Sequence, residues 1–287
     1  MILQSEIFKK AESTGVPPST IDKDWVLGHF LGELFNQNWA KDNLVFKGGT
    51  CLKKCYFDDY RFSEDLDFTL VNPDYPITNK ILQNVCNSIT QNIGILFSKI
   101  NVIPKHRNDK VVGYETHIRF WGANHKKNHP PPPSNRWLTE IKIEIIFYET
   151  VVNKPVIRKI FHNYSDRALI PEVNIPCYSL IEIIAEKFRA LLQRSYPAPR
   201  DYYDLWFLTK NLDESTGKVI AETFHKKCTF KAIKFNSPDD FFMHSELAKV
   251  QKAWNNSLSG HLAEYQLPSF EKVVMELKNV CKSIKWK

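Results

Sequence analysis

The chain has 287 residues, 43% of them hydrophobic and 13% aromatic, enough to build one large domain or two modest ones. A formal net charge of +7 makes it moderately basic, which suits a polyanionic partner without demanding one. The sequence has no apolar window of the ~18 residues a membrane span needs, no signal-peptide core in MILQSEIFKK, and six scattered cysteines that complete no zinc pattern. These features exclude a membrane-embedded protein and a secreted disulfide scaffold, and they predict a cytoplasmic protein. Its Cys51, Cys55, Cys86, Cys177, Cys228 and Cys281 are expected to be reduced and mostly buried. Residues 2–12 read as a short helix, broken by Gly15, Pro17 and Pro18. A second helix, Ile21 to Trp39, carries Trp25, Val26, Phe30, Leu31, Leu34 and Phe35 at helical spacing.

The stretch VFKGGTCLKKCYFDDYRFSEDLDFTL, residues 45–70, is the centre of the chain. Leu44-Val45-Phe46 reads as the first strand, followed by a Gly48-Gly49-Thr50 turn and a helix from about Leu52 to Asp58. Two glycines let the backbone approach a ligand with no Cβ in the way, and Thr50 with the turn's amides could hold a phosphate at a helix N-terminus. Asp65-Leu66-Asp67 sits in a strand, Asp65 to Leu70. Residues two apart on a strand share a face, so Asp65 and Asp67 stand together while Leu66 and Phe68 enter a core. Adjacent carboxylates repel each other, and hard oxygen donors suit Mg²⁺ or Mn²⁺ between them. The alternative is a plain glycine turn beside edge-strand surface charges.

Gly48-Gly49-Thr50, Leu52, Lys54, Tyr56 and then Arg61-Phe62-Ser63-Glu64-Asp65-Leu66-Asp67 together resemble the AbiEii/MenT nucleotidyltransferase toxins, a branch of the polymerase-β-like superfamily. A Gly-Gly-Ser/Thr turn followed by a carboxylate pair marks the superfamily, and the RFSED-hydrophobic-Asp string marks the family. Lys23-Asp24, ahead of the second helix's apolar face, is similar to the family's opening helix.

Beyond a turn at residues 72–76, residues 77–96 read as a helix, and Ile100–Ile103, Val111–Trp121 and Trp137–Tyr148 as strands. The basic, proline-rich loop His125-Lys126-Lys127-Asn128-His129-Pro130 to Pro133 reads as a solvated, stiff hairpin loop; a basic arm touching a phosphate backbone is the alternative. In the last strand Ile141, Ile143, Ile145 and Phe147 form one face, and Lys142 and Glu144 the other. A carboxylate there can supply the third acid of a two-metal site. Lys142-Ile143-Glu144 resembles the family's second motif, with Glu where Asp is commoner; a cross-strand ion pair between surface residues is the alternative.

From Ser179 the sequence reads as helical, after an extended linker between Pro171 and Pro176. Ser179 and Glu182 suggest a capping box. The run EKFRALLQRSYPAPRDYYDLW again resembles the family, whose last motif is a helical lysine, an arginine and an aspartate on the next helix. By that match Lys187 binds the nucleotide's phosphates, Arg194 and Arg200 are candidates for phosphate or internal pairing, with the Lys187–Arg194 spacing one residue tighter than the family pattern, and Asp204 positions Lys187 or the acceptor group. An interhelical salt-bridge set is the alternative, and compatible, reading. Further helices lie near 217–227, 239–254 and 268–284, dotted with lysines.

The predicted architecture is α+β: a polymerase-β-like nucleotidyltransferase domain at 1–168, with a mixed sheet flanked by helices, then a mostly helical domain at 169–287. The resemblance implies an enzyme moving an NMP from an NTP to an acceptor, such as a tRNA end, as the toxin of a toxin–antitoxin or abortive-infection pair. It implies Asp65, Asp67 and Glu144 as metal ligands for Mg²⁺ or Mn²⁺. With Lys187 and Asp204 these form the catalytic set. Gly48, Gly49, Thr50, Lys54, Ser63, Lys142, Lys187 and Arg194 are the nucleotide contacts. A cognate antitoxin is an implied partner. A nucleotide- or RNA-binding module without turnover, a phosphodiesterase using the same carboxylates, and transfer to a protein side chain stay open.

Overall fold

Alternating burial along the strands lays down the sheet of the first compact unit, Met1–Tyr148 with Val156–Cys177. The computed structural model describes residues 1–125 and 130–286. The strands are β1 (Leu44–Lys47), β2 (Asp65–Leu70), β3 (Leu96–Phe97), β4 (Ile103–Arg107), β5 (Lys110–Trp121), β6 (Glu140–Ile146), β7 (Val156–Arg158) and β8 (Ile175–Cys177). Their order is β3-β5-β6-β2-β1-β8-β7, with β4 paired to β5. β2 runs antiparallel to β1 and parallel to β6, so the sheet is mixed. Leu66, Phe68, Ile141, Ile143 and Ile145 are buried, leaving the alternate positions of β2 and β6 for polar side chains.

The helices are α1 (Gln4–Thr14), α2 (Pro18–Asn36), α3 (Asn38–Asn43), α4 (Gly48–Cys51) and α5 (Asn79–Ile93). Helix α2 is buried nearly all round from Thr20 to Phe35, as a helix enclosed by other layers must be. Its Phe35 ring lies 6.0 Å from Phe68 of β2. It also carries buried acids. Asp24 accepts from Lys54 Nζ at 2.7 Å and from the Tyr164 hydroxyl at 2.8 Å. Asp22 Oδ1 accepts from the amides of Ala123 and Asn124 at 2.7 and 3.2 Å, and burial pushes its carboxyl up to about 6.

Several elements differ from the sequence reading. The helix after β1 begins at Gly48 itself and passes into a π-helical turn, Leu52–Tyr56. The extended stretch read as a linker contains β8, whose Cys177 pairs parallel with Phe46 of β1 and whose other edge carries β7. A three-residue strand containing Pro176 shows no period-two pattern, so its neighbours alone reveal it. The first unit accordingly keeps β7 and β8, and the second takes Glu149–Pro155 and the chain from Tyr178. Of the basic loop, residues 126–129 lie outside the described residues, as does Lys287.

The second unit is helical: α6 (Leu180–Gln193), α7 (Pro199–Thr209), α8 (Glu214–Lys231), α9 (His244–Leu258) and α10 (Phe270–Ser283). Phe188, Phe224, Phe241 and Trp286 pack their rings 5.0–5.6 Å apart at its centre. Ser179 caps α6 by accepting from the Glu182 amide. The Glu182 side chain turns instead to the Val152 and Asn153 amides, at 3.0 and 2.8 Å, and to fully buried Lys227 at 2.7 Å. Lys227 also meets Glu186 at 3.1 Å and the Thr150 carbonyl at 2.9 Å. This network ties the 149–155 segment to the helices.

Replacing Lys227→Met leaves Glu182 buried without its cation, and urea denaturation should show a loss of about 3–5 kcal/mol. Asp22 gives a pH signature of defined sign. Its folded pKa, about 6, lies above the ordinary carboxylate value of 3.8, so its stabilising contribution is full at acid pH and disappears as pH rises through 6. The stability difference between Asp22→Asn and wild type should therefore move in the variant's favour between pH 4 and 7, by at most roughly 3 kcal/mol.

Candidate active site

Strand register brings the predicted acids together. Asp67 of β2 lies directly opposite Glu144 of β6, and Asp65 opposite Lys142. Opposed residues of paired strands share a face, so Asp65, Asp67, Lys142 and Glu144 stand on one side of the sheet. On the next strand Glu115 and His117 of β5 oppose Glu144 and Lys142. On the other flank Lys47 of β1 opposes Asp67. The polar face is therefore an acid-rich band across β1, β2, β6 and β5, with Lys47, Lys142 and His117 among the acids.

The glycine turn fits against this band. Gly48 has φ +80°, and a Cβ there would sit 2.3 Å from Asp67 Oδ2. Only a residue without a side chain allows that approach and that backbone conformation. Beside it, Arg61 Nη2 and Ser63 Oγ crowd Gly49, at 2.8 and 2.9 Å from a Cβ position. The Thr50 hydroxyl donates to the backbone carbonyl of Asp65, so it fastens the start of β2 to the turn. The amides opening a helix have no intrahelical acceptor, and here they sit beside a carboxylate pair.

The acids carry their own cations. Lys105 of β4 donates to Glu144 and to Glu115, the latter at 3.0 Å, and Lys142 reaches Glu115 at 3.1 Å. Burial pushes Glu115 up, but Lys105, Lys142 and His117 outweigh it and hold the carboxyl at about 2. Lys142 is held above the usual lysine range, burial being outweighed by Glu115 and Glu144. Sequence reasoning missed Glu115, Lys105 and Lys47. Glu115 and Lys105 lie on strands whose partners the sequence does not declare, and Lys47 sits beside the glycines, where its strand alternation with Val45 was the available signal.

Lys54 is placed differently from expectation. It is 2% exposed and paired with Asp24 inside the fold, so it offers no surface to a nucleotide. A lysine at helical spacing looks the same in sequence whether its face is wet or dry.

In the helical unit, Lys187 of α6 lies between Asp201 and Asp204 of α7, at 2.9 and 2.7 Å, and Arg194 Nε reaches Asp201 Oδ2 at 2.6 Å. Pro199 starts α7 so that its first turn presents Asp201, and the three-residue step puts Asp204 on the same side. Arg200 is used elsewhere, on His261 and the Ser257 carbonyl.

Asp65, Asp67 and Glu144 offer the oxygen donors that a hard divalent cation takes, from two adjacent strands, with Glu144 engaged by Lys105 and the Asp67 carboxylate kept against the backbone by the cradle at Gly48.

Comparison with known proteins agrees with this reading of the fold. A family model described as nucleotidyl transferase AbiEii toxin, type IV TA system, matches residues 29–276. Among solved structures, MenT4, a nucleotidyltransferase toxin from Mycobacterium tuberculosis H37Rv, superposes with a TM-score of 0.57 at 16% identity, covering 98% of this chain and 99% of that one. No curated protein sequence matches the chain.

Gly48→Ala adds a methyl against the Asp67 carboxylate in left-handed backbone. The strain alone should lower stability by about 1–2 kcal/mol in chemical denaturation, while Gly94→Ala, also at positive φ but with only Met1 nearby, isolates the backbone share.

Proposed function

The chain belongs to the AbiEii nucleotidyltransferase toxin family, and from that premise we propose that it moves a nucleoside monophosphate from an NTP to an RNA acceptor, such as a tRNA end. The observation that carries the reading is the register that sets Asp67 against Glu144, with Asp65 on the same face and Gly48 behind Asp67. In this reaction an acceptor hydroxyl oxygen bonds to the α-phosphorus, the bond to the bridging oxygen breaks, and pyrophosphate leaves.

Asp65, Asp67 and Glu144 are the proposed ligands for Mg²⁺ or Mn²⁺. When bound, such an ion neutralises charge on the transferring phosphoryl group and acidifies the attacking hydroxyl. The chain's own groups supply the positioning. Thr50 ties Asp65 to the glycine turn, so the acids and the turn amides form one rigid piece. The amides at Gly48 and Gly49, with Ser63 and Lys142 beside them, are the proposed phosphate contacts. Lys187, oriented by Asp201 and Asp204, is the proposed β/γ-phosphate ligand by resemblance to the family's helical lysine, with Arg194 holding Asp201.

The RNA acceptor is supported by the net charge of +7 and by the exposed basic residues His106, Arg107 and Lys110 on the β4–β5 hairpin, whose Lys105 touches Glu144. A cognate antitoxin is the proposed protein partner. Among the described residues no helix is long and apolar enough to cross a membrane.

Incubating the protein with each α-labelled NTP, Mg²⁺ or Mn²⁺ and total RNA should place label in RNA from one preferred NTP. Asp65→Ala or Asp67→Ala should lower the rate by about three powers of ten or more. Label in protein instead would reassign the acceptor. Absence of transfer with every NTP and both ions, or near-normal transfer by either variant, would overturn the mechanism.

A further inference from the structure

A second group of ligating side chains lies off the strands that carry Asp65, Asp67 and Glu144. His29 projects from α2, and His162 and Asp166 from the segment after β7. His29 Nε2 is 3.0 Å from Asp166 Oδ2, and His162 Nε2 is 3.2 Å from Asp166 Oδ1. One donor atom from each of the three lies within 4.8 Å of the other two. The two imidazoles meet different oxygens of Asp166, and zinc bonds of about 2.0–2.2 Å in tetrahedral geometry hold donor atoms roughly 3.3–3.5 Å apart, so a carboxylate rotation and a closing of about an ångström would bring one atom from each onto a shared ion.

The surroundings are built for this convergence. The imidazole rings pack edge to face with centroids 4.9 Å apart. Trp25 Nε1 donates to both oxygens of Asp166, at 3.2 and 3.0 Å, and so fixes the carboxylate plane. That is the outer-sphere partner a ligating carboxylate ordinarily has. Gly28 admits the His162 ring, since a Cβ there would lie 2.2 Å from its Nδ1. The His162 side chain is fully buried, and its Nδ1 has no hydrogen-bond partner among the described residues. That nitrogen faces Gly28, which leaves Nε2 as the atom turned toward Asp166.

We propose that His29, His162 and Asp166 form a structural site for a borderline divalent transition-metal ion, with zinc as its natural occupant. Two imidazoles and one carboxylate make a donor set suited to zinc rather than to Mg²⁺, which takes oxygen ligands. Asp166 is the least buried of the three side chains, at 9% against 2% and 0%, and gives the ion its way in and a position for one water. The ion clips α2 to the segment that follows β7. The site is independent of the transfer reaction, and its failure would leave that reading untouched.

The test uses the full chain carrying Asp65→Asn and Asp67→Asn, so the acid pair cannot claim the ion. After chelator treatment it is titrated with CoCl₂ and followed by visible absorption. The expected result is one equivalent of Co²⁺ with ligand-field bands, displaced by ZnCl₂ but not by excess MgCl₂, and a higher Tm with Zn²⁺. His29→Gln and His162→Gln should each weaken binding at least about tenfold, and Trp25→Phe by about 10–100-fold. Circular dichroism checks that each variant is folded; if His162→Gln is not, His29→Gln and Asp166→Asn carry the comparison. No stoichiometric uptake of Co²⁺ or Zn²⁺, or uptake unchanged in the folded histidine variants, would overturn the site and leave a hydrogen-bonded triad only.

Discussion

Like charges on one face of a sheet are the constraint on which the first unit turns. Asp65 and Asp67 on β2, Glu144 on β6 and Glu115 on β5 lie in one band. Four carboxylates this close repel unless cations stand among them. Lys47, Lys105 and Lys142 are those cations from the protein itself, and each comes from a strand bordering the acids or the next one out. The Lys105 hairpin thus meets Glu144 and Glu115 at one flank of the band, and the glycine turn meets Asp67 at the other. A sheet built for stability alone would not assemble this band, because well-packed apolar groups are cheaper than compensated charges.

The opposite face makes that band tolerable. Buried isoleucines and phenylalanines of β2 and β6 are covered by a helix that is itself enclosed. Helix α2 also places acids in the interior, and each is answered differently. Asp24 receives a lysine and a tyrosine hydroxyl, whereas among the described residues Asp22 receives two amides, and it shifts toward its neutral form. The Lys54 cation against Asp24, and burial prevailing over two amides at Asp22, explain opposite behaviour two residues apart on one helix.

Local patterns were the legible part. Alternation declared the face shared by Asp65 and Asp67, and the same rule placed Glu144 opposite the isoleucines. Strand pairing then did what no single segment can announce. Nothing near Glu115 says that β5 lies against β6, and nothing near Pro176 says that three residues are a strand. Lys54 shows the limit of helical spacing, since periodicity assigns it a face but only packing decides whether that face meets Asp24 or water. The Ser179–Glu182 pattern was half right for a similar reason: the serine capped its helix, but a buried lysine and two amides from residues 149–155 competed for the glutamate and won.

The chain passes from one unit to the other at three points: after Tyr148, after Pro155 and after Cys177. A single cut can therefore never yield both units whole: one after Cys177 keeps the first unit complete but carries the 149–155 strip away from the second. A fragment ending before β8 strips β1 of a neighbour, and one beginning at Tyr178 lacks the strip that Glu182 and Lys227 grasp. A gene rearrangement with one breakpoint would therefore always leave at least one damaged piece, which favours inheritance of the two units together. A ribosome must likewise deliver the strand at Ile175–Cys177, well past the midpoint of synthesis, before β1 gains its second neighbour in the sheet.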